Sequence, residues 1–282
     1  MNYRELLRAS SGKLSSIYDG REASNIMHLV IETIKGWNSV DLLMHMDDEV
    51  SDYISGKTEG IVSRLLANEP VQYILGETYW HGMKLKVTPD VLIPRPETSE
   101  LVDMITDADK GRDLKVLDLC TGSGAIAIAL SRFLDFPDIC GIDISDAALS
   151  VARDNARSLH ADVKFLKCDV LKPLPFADGE FDIIVSNPPY ICANERKDMA
   201  RNVLDHEPAI ALFVPDNDPM RFYRPIAGEG FRIARPGGKI YLEINPLYAD
   251  DVISVLEGAG WTDVCVMMDM EGKKRFAKGT RS

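Results

Sequence analysis

The segment Asn187, Pro188, Pro189 and Tyr190, called the Asn187 corner below, carries groups suited to holding a planar, nitrogen-bearing ligand. It follows an apolar run, residues 181–185, that predicts a buried strand. Two adjacent prolines stop a strand or helix, so the segment forms a stiff corner at the carboxyl end of that strand. Open α/β sheets bind ligands at this edge. A proline-rich loop without a function is the alternative, but the full tetrapeptide in this position favours a site for N–H groups.

A second candidate site is a glycine-rich loop between a predicted strand and a predicted helix. Gly122, Gly124 and Ala127 fit the pattern G-x-G-x-x-G/A, and Asp143 ends the next predicted strand about 20 residues further on. The helix N-terminus favours a negative group, and Asp143 can accept hydrogen bonds from ribose hydroxyls. The loop alone fits either the pyrophosphate of a dinucleotide or the methionine carboxylate of S-adenosylmethionine. Glycines that only permit close helix packing would explain Gly124, but they would explain Asp143 poorly.

Three features favour S-adenosylmethionine over a dinucleotide. The loop is preceded by Asp118 within Leu-Asp-Leu, a sequence common in Rossmann-like methyltransferases. Asp169 ends the third predicted strand, where its carboxylate can receive the adenine amino group. The Asn187 corner ends the fourth strand and faces the same crevice, and a nicotinamide enzyme would leave it unexplained. We therefore predict S-adenosylmethionine as the methyl donor and S-adenosylhomocysteine as the product.

Alternating strands and helices that begin at about residue 114 position these sites. The alternation predicts an α/β fold with a mostly parallel sheet, whose last strand is antiparallel after a hairpin-like turn. The motifs described above make a Rossmann-like methyltransferase sheet the expected type. Apolar residues at helical spacing predict a small N-terminal helical bundle. The expected domains are the bundle at 1–75, a β-hairpin and linker at 76–112, and the S-adenosylmethionine-dependent methyltransferase domain at 113–282.

The predicted linker carries Arg95 between two prolines, Pro94 and Pro96, which indicates a rigid, extended segment. Two interpretations fit this pattern. The segment is either a hinge between two domains or a linker whose Arg95 reaches into the site, and the sequence alone leaves both open.

Charge and cysteine usage narrow the class of protein. The chain has 32 Lys and Arg against 44 Asp and Glu residues, a formal net charge of -12, which argues against a protein that grips long nucleic acid by its phosphates. The five cysteines form no Cys-x-x-Cys pair, which predicts reduced thiols and neither a disulfide framework nor a metal site. The first residues lack the apolar core of a signal peptide, and no apolar segment approaches the roughly 20 residues that span a bilayer. A cytoplasmic protein without membrane contact is expected.

Several segments outside these two sites resemble one enzyme family. They are residues 70–76 (Pro-Val-Gln-Tyr-Ile-Leu-Gly), 92–98 (Leu-Ile-Pro-Arg-Pro-Glu-Thr), 206–212 (His-Glu-Pro-Ala-Ile-Ala-Leu) and 241–244 (Tyr-Leu-Glu-Ile). With the Asn187 corner they make the chain similar to the HemK/PrmC-type N5-glutamine methyltransferases, which modify class 1 peptide chain release factors. The corner alone is shared with DNA adenine N6-methyltransferases. The resemblance covers nearly the whole chain, although its first part, about 60 residues, matches in helical character more than in motif.

The resemblance implies methyl transfer from S-adenosylmethionine to N5 of the glutamine in the Gly-Gly-Gln motif of a release factor. It implies cofactor contacts from the loop and from three strand ends, namely Cys120, Thr121, Gly122, Ser123, Gly124, Asp143, Asp169, Val170 and Asn187. It implies substrate contacts from Asn187, Pro188, Pro189 and Tyr190. The expected assembly is a monomer that docks the release factor through its N-terminal helices and contacts neither nucleic acid nor membrane.

The chain departs from the family pattern at three positions. Cys120 stands where the family usually has glycine, so the first residue of the loop is expected to have an ordinary, negative φ. Ser99 replaces a usual glutamate, and Val170 occupies a position that is aromatic in some relatives. None of these changes is expected to alter cofactor affinity strongly.

The predicted chemistry is catalysis by positioning. A carboxamide nitrogen is a poor nucleophile because its lone pair is delocalised into the carbonyl group. We expect the Asn187 side-chain oxygen and the Pro188 carbonyl to accept the two N–H bonds of the glutamine amide, while Tyr190 packs against the amide plane. The proton can leave after transfer, so no histidine base is needed, and none of the five histidines lies in a motif. Asn187, Pro188 and Tyr190 are therefore the predicted catalytic residues.

Three other functions compete with this one. A sister enzyme that methylates a glutamine of a ribosomal protein would use the same chemistry. A DNA adenine methyltransferase is opposed by the charge of -12 and by the lack of a basic target-recognition domain. An inactive cofactor-binding module in translation is opposed by the intact Asn187 corner.

Overall fold

The computed structural model describes residues 1–109 and 113–282, so the end of the predicted linker, residues 110–112, lies outside the described residues. The described chain divides into two compact units, residues 1–77 with 200–206 and residues 78–199 with 207–282. In neither unit do the described residues form a helix long and apolar enough to cross a membrane.

The first unit is helical. Its N-terminal segment contains α1 (Tyr3–Leu14), α2 (Gly20–Lys35), α3 (Ser39–Met44), α4 (Asp52–Leu66) and α5 (Val71–Leu75). Short polar side chains cap four of these helices by accepting hydrogen bonds from first-turn N–H groups: Asn2, Asp19, Asn38 and Ser51. Helix α2 ends at Gly36, whose φ of 65° is the left-handed conformation that glycine adopts without strain. Apolar side chains at helical spacing then share one core, in which Leu14, Met27 and Leu65 are fully buried.

The chain continues through a hairpin into alternating strands and helices. In order these are β1 (Glu77–Trp80), β2 (Met83–Lys86), α6 (Pro96–Ala108), β3 (Lys115–Leu119), α7 (Ala125–Phe133), β4 (Asp138–Asp143), α8 (Asp146–Ser158), β5 (Val163–Lys167) and β6 (Phe181–Ser186). There follow β7 (Ile191–Cys192), α9 (Arg201–His206), α10 (Ala209–Leu212), β8 (Phe213–Val214), α11 (Tyr223–Ile233), β9 (Ala234–Glu243), α12 (Ala249–Gly258), β10 (Thr262–Met268) and β11 (Lys274–Thr280).

Seven strands form one sheet in the order β10-β11-β9-β6-β3-β4-β5. The pairs of β3 with β4, β3 with β6, β4 with β5 and β6 with β9 are parallel, whereas β11 is antiparallel to both of its neighbours. The predicted mostly parallel sheet with an antiparallel last strand is confirmed. From β3 the chain moves outward to β5 and then returns to the opposite side of β3 as β6. The direction of strand order therefore reverses between β3 and β6, which is where open α/β sheets bind ligands.

The central strands are buried on both faces of the sheet. Every residue of β6 is buried, and its side chains alternate between two apolar cores. Ile183 and Val185 pack with helices α6, α7 and α8, whereas Ile184 packs with α11 and α12. Burial of each such side chain stabilises the fold by about 1.5–3 kcal/mol. The loops that follow β3 and β6 therefore start from the most firmly held part of the sheet.

The segment between the Asn187 corner and α11 contains elements that the sequence did not predict. Strands β7 and β8 have two residues each and form a separate parallel pair. Helices α9 and α10 have six and four residues. Elements this short do not complete the two or three repeats that make apolar periodicity visible.

Candidate active site

A cavity of about 410 Å³ lies at the carboxyl ends of β3, β4, β5 and β6. Its walls also come from the linker before α6 and from the segment around α10 and β8. Most of the predicted site residues line it: Cys120, Thr121, Gly122, Ser123, Asp143, Asp169, Val170, Asn187 and Pro189. Gly124, Pro188 and Tyr190 adjoin these residues in the chain without being part of the cavity wall, as far as the described residues define it. The structure thus brings both candidate sites to one cavity.

The glycine loop and the Asn187 corner leave neighbouring strands at the same level. In the register of β3 with β6, Leu119 pairs with Ser186. The Ser186 hydroxyl donates a hydrogen bond to the Leu119 carbonyl oxygen at 2.7 Å. Because parallel strands end at the same edge of a sheet, Cys120 and Asn187 begin their loops side by side.

Asp118, the last but one residue of β3, holds the glycine loop from inside the fold. Its Oδ2 atom accepts hydrogen bonds from the Thr121 hydroxyl at 2.6 Å and from the Ala127 backbone N–H at 3.2 Å. The side chain is fully buried, and this burial raises the pKa of its carboxyl to about 7. Its Oδ1 atom is buried and has no hydrogen-bond partner in the described part of the chain. Asp118 therefore braces the loop through one oxygen, in a setting that disfavours its charge.

Cys120 corrects one expectation about the loop. An ordinary φ was expected at this position, but Cys120 has a φ of 60°, in the left-handed region. The chain must turn there so that the next N–H, that of Thr121, can donate to the Ile142 carbonyl oxygen at 2.9 Å. This conformation costs a residue with a Cβ about 1–2 kcal/mol, which glycine would avoid. Burial also raises the pKa of the Cys120 thiol, which keeps it protonated.

Asp143 joins the glycine loop to the start of α8. One carboxylate oxygen accepts the Gly122 N–H at 2.9 Å, and the other accepts the Ser145 N–H at 2.9 Å. Burial raises the pKa of Asp143, and these N–H bonds oppose that rise. Each carboxylate oxygen has a second lone pair, so Asp143 can still accept hydrogen bonds from a ligand in the cavity.

Asp169 and Val170 follow β5 and line the same cavity as the glycine loop. Asp169 accepts the Leu171 N–H at 3.0 Å, and its side chain retains 22% of its exposure. Val170 is buried at 6% exposure. One polar and one apolar side chain at this position suit a flat ring that carries an amino group.

At the Asn187 corner, the side-chain amide is tied to residues from two distant segments. Asn187 Nδ2 donates to the Thr98 hydroxyl oxygen at 3.3 Å, and the Thr98 hydroxyl donates to Glu243 Oε2 at 2.6 Å. The Tyr190 hydroxyl donates to Glu243 Oε1 at 3.0 Å. The Tyr190 ring is predicted to pack against a substrate amide, and buried Glu243 holds its hydroxyl on the interior side of the corner. Thr98 lines the cavity beside Asn187.

The linker brings a cation to the cavity wall. Arg95 lines the cavity and donates to Glu207 Oε1 at 2.7 Å. The Glu207 side chain is 1% exposed, and its other oxygen accepts the Ile93 N–H at 3.4 Å. Burial raises the pKa of Glu207, while Arg95 opposes that rise. The backbone of Arg95 is also held, because Trp80 Nε1 donates to its carbonyl oxygen at 2.7 Å. Of the two interpretations of the linker, the structure favours the one in which Arg95 reaches the site.

Sequence reasoning missed several residues that support the site. Asn155 of α8 donates to the Ser123 carbonyl oxygen at 2.9 Å, and it both donates to and accepts from the backbone of Lys86 in β2. It thereby couples the hairpin to the glycine loop. No sequence signal pointed to Asn155. Thr98 and Glu243 fall inside segments that the resemblance singled out, but no role was assigned to either.

The cavity offers hydrogen-bond acceptors and no strong base. Its polar lining comes from the carboxylates of Asp90, Asp143 and Asp169, from the Asn187 amide, from several hydroxyl groups and from the guanidinium groups of Arg95 and Arg221, and no histidine lines it among the residues described. Such a site can bind a nucleoside, receive N–H groups and align two reactants. Proton abstraction before reaction would need a group that this wall does not supply.

Two family models match the sequence: the PrmC N-terminal domain at residues 5–76 and a methyltransferase domain at residues 110–246. Among solved structures, the methyltransferase from Pyrococcus furiosus has a TM-score of 0.53 at 16% identity, over 78% of this chain and 97% of that chain. This likeness supports the fold.

Sequence relatives match along almost the full length. The release factor glutamine methyltransferase of Bacteroides thetaiotaomicron is 43% identical over 95% of this chain and 96% of its own length. The protein with the same name from Flavobacterium psychrophilum is 37% identical over 94% of each chain. The one from Deinococcus radiodurans is 31% identical over 100% of this chain and 99% of its own.

Proposed function

This chain belongs to the release factor glutamine methyltransferase family, and from that premise we propose that it methylates N5 of the Gly-Gly-Gln glutamine in class 1 peptide chain release factors. The methyl donor is S-adenosylmethionine, and S-adenosylhomocysteine is the product. One observation carries the proposal: the Asn187 corner and the glycine loop line the same cavity. A cofactor methyl group and a planar nitrogen could therefore meet there.

The cavity offers room and polar groups for the cofactor. Gly122 has a φ of 56°, and in the described structure a Cβ at that position would meet nothing within 4 Å, so the loop faces open space. We propose that Cys120, Thr121, Gly122, Ser123 and Gly124 hold the methionine part of the cofactor and that Asp143 holds its ribose. Asp169 and Val170 would flank the adenine. Bound in this way, the cofactor supplies an electrophilic methyl group on a sulfonium.

The Asn187 corner would hold the glutamine amide. The Asn187 side-chain oxygen and the Pro188 carbonyl oxygen would accept its two N–H bonds, which fixes the nitrogen and favours its pyramidalisation as the new bond forms. These acceptors become stronger partners as positive charge develops on that nitrogen. The proton can leave afterwards, which agrees with a wall that lacks a strong base. Tyr190 would support the corner from behind, through Glu243.

We propose three domains, at 1–75, 76–112 and 113–282, of which the helical first one docks the release factor. A glutamine that follows two glycines has few neighbouring side chains for an enzyme to recognise. The enzyme must therefore recognise the release factor through contacts elsewhere. Helix α3 presents Val40, Leu43 and Met44 to solvent at 65%, 69% and 74% exposure. Their spacing of three and four residues puts them on one helix face. A partner could cover this face without rearranging the core.

A cytoplasmic monomer that binds neither nucleic acid nor membrane completes the proposal. Its acidic sequence, with a formal net charge of -12, disfavours phosphate backbones and anionic lipid surfaces.

The test is labelled methyl transfer from S-adenosylmethionine to purified release factor, ribosomal proteins and DNA, assayed side by side. We expect label on the release factor alone. A release factor whose Gly-Gly-Gln glutamine is changed to asparagine is the matched control and should stay unlabelled. Label on a ribosomal protein or on DNA, with none on the release factor, would replace this function with one of its alternatives.

A further inference from the structure

We propose that Thr98 and Glu243 are positioning residues that fix which end of the Asn187 amide faces the substrate. This inference rests on the proposed function, because it concerns the amide that would receive the substrate glutamine. Neither residue needs to touch the reacting atoms. Their task is to keep the Asn187 oxygen, and not its NH₂ group, turned toward the cavity.

The first step is the direction of the hydrogen bond between Thr98 and Glu243. Their oxygens are 2.6 Å apart, and both side chains are buried. A carboxylate can only accept hydrogen bonds, so the single hydroxyl hydrogen of Thr98 is donated to it. Toward any other neighbour, Thr98 Oγ1 can then act only as an acceptor.

The second step is the consequence for Asn187. Its side chain lies 3.3 Å from Thr98 Oγ1, a distance that calls for a donor on the Asn187 side. Only the NH₂ group of the amide donates, so that group turns to Thr98 and Oδ1 turns away from it. Because Asn187 lines the cavity, Oδ1 becomes the group available to a ligand there. The polarity of the amide is thus set by a hydrogen-bond chain that begins at Glu243.

The third step is what this polarity does for the reaction. A substrate carboxamide brings two N–H donors, which need acceptors. If the Asn187 amide were flipped, its own NH₂ would meet the substrate NH₂, and one donor on each side would lose its partner. The flipped state would bind the glutamine poorly and would misalign its nitrogen.

The fourth step is how Glu243 itself is held. Its Oε1 atom accepts the Tyr190 hydroxyl at 3.0 Å, so O–H donors meet the carboxylate at both oxygens. The Tyr223 hydroxyl donates to the Glu243 backbone carbonyl at 3.2 Å. Burial raises the pKa of Glu243, and the hydrogen bonds from the Thr98 and Tyr190 hydroxyls oppose that rise by favouring the ionised form. Strand β9, helix α6 and the corner are therefore joined through one side chain.

The inference is tested by removing the hydroxyl of Thr98 without changing its shape. Thr98→Val should lower kcat for the release factor by about 100-fold, the scale expected for a misplaced reacting group. The KM for the release factor and the Kd for S-adenosylmethionine should change little. Thr98→Ser keeps the hydroxyl and should restore most of the rate. Thr106→Val is the control, since Thr106 is buried in the same helix with its hydroxyl bonded to the Asp103 carbonyl, and it should retain wild-type kcat.

A second variant tests the chain of hydrogen bonds from its other end. In Glu243→Gln an NH₂ group can donate to Thr98, which frees the Thr98 hydroxyl to donate to Asn187 and turns the amide around. We expect a loss of kcat similar to that of Thr98→Val. The double variant, Thr98→Val with Glu243→Gln, should lose no more kcat than either single variant, because both substitutions act through Asn187.

The outcomes separate this inference from the proposed function. Wild-type kcat in Thr98→Val, or single losses that multiply in the double variant, overturns the inference and leaves the methyltransferase activity standing. Equal loss in Thr98→Ser and Thr98→Val also overturns it, because packing would then matter more than the hydroxyl. A wild-type enzyme that does not label the release factor overturns the proposed function, and the inference falls with it.

Discussion

The glycine loop and the Asn187 corner follow adjacent strands, yet they are held in place by different means. The loop is held by its own motif and by the strand and helix that come next in the chain: Thr121 and Ala127 bind Asp118, three and nine residues away, and the backbone of Gly122 and Ser123 binds Asp143 and Asn155, 21 and 32 residues away. The corner is stiffened by its own prolines, but its functional side chain is oriented from far away. Thr98 lies 89 residues from Asn187, and Glu243 lies 53 residues from Tyr190.

This difference teaches how the two halves of a transfer site are built. A loop that binds a fixed cofactor can be a local motif, because its main task is to present backbone groups. A corner that must present one specific side-chain atom needs partners that choose its orientation, and such partners come from other parts of the fold. Substitutions in the glycine loop should therefore weaken cofactor binding, whereas substitutions at the Asn187 corner should lower turnover.

The largest expected effect comes from the corner. Asn187→Ala should lower kcat by roughly 10²–10³-fold, since it removes an acceptor aimed at developing charge. Binding of S-adenosylmethionine, measured by calorimetry, should change far less, because the loop side remains whole. Tyr190→Phe is a milder companion that keeps Asn187 and removes only one bond to Glu243. Normal turnover in Asn187→Ala would contradict the division between the two sides.

On the side of the glycine loop, we expect the free energy of unfolding to depend on pH. Asp118 has its pKa raised from 3.8 to about 7, so the folded state binds its proton more tightly than the unfolded state does. The contribution of Asp118 to the free energy of unfolding is fully present below about pH 4 and is lost as the pH rises through about 7. The total change is up to about 4 kcal/mol. Asp118→Asn, which cannot titrate, should lack this part of the slope. Urea unfolding of both proteins between about pH 4 and about pH 8 measures it, and parallel curves would contradict the assignment.

A smaller effect is expected at the proposed docking surface on the helical unit. Leu43→Ser with Met44→Ser on α3 should raise the KM for the release factor by about tenfold, with kcat and cofactor binding unchanged. The matched control is Phe136→Ser, because Phe136 is 90% exposed but lies in the other unit. If both variants raise the KM equally, the α3 face is not the docking surface.

The smallest effect concerns the backbone of the loop. Cys120→Gly should relieve the left-handed φ and raise the free energy of unfolding by about 1 kcal/mol, less what the more flexible unfolded chain regains. Cys265 lies in β10 with an ordinary φ, so Cys265→Gly should instead destabilise the protein. Opposite signs in urea unfolding would support the strain at Cys120, and equal losses would contradict it.

Much of the fold could be predicted because its central elements have strong local patterns. Apolar runs predict a strand at residues 115–119, a helix at 125–133 and a strand that includes 181–185, and the structure has β3, α7 and β6 at these places. Continuous apolar runs and turn residues define these elements without help from the rest of the chain. For β9, Pro236 and the two glycines after it favour a strand that starts at Lys239. The strand starts at Ala234 instead, because it pairs with β6 through an irregular stretch that contains these three residues.

The supporting residues of the site could not be predicted for a physical reason. Thr98 and Glu243 are 145 residues apart, and nothing in either neighbourhood shows that their oxygens meet. The φ of Cys120 differs from the prediction because residue type indicates only a backbone preference, whereas the turn after β3 requires a left-handed residue at this position. Local pattern thus predicts elements and motifs, and the three-dimensional packing decides which side chains orient them.

The membership of residues 200–206 in the helical unit has a practical consequence for dissecting this protein. The chain leaves that unit after residue 77, re-enters it at 200 and leaves again after 206, so the unit is discontinuous in sequence. His206 lies 3.2 Å from the Ala67 carbonyl oxygen, and a truncation of the chain near residue 77 would remove this contact. A graft or deletion of the helical unit must therefore include both of its segments, residues 1–77 and 200–206.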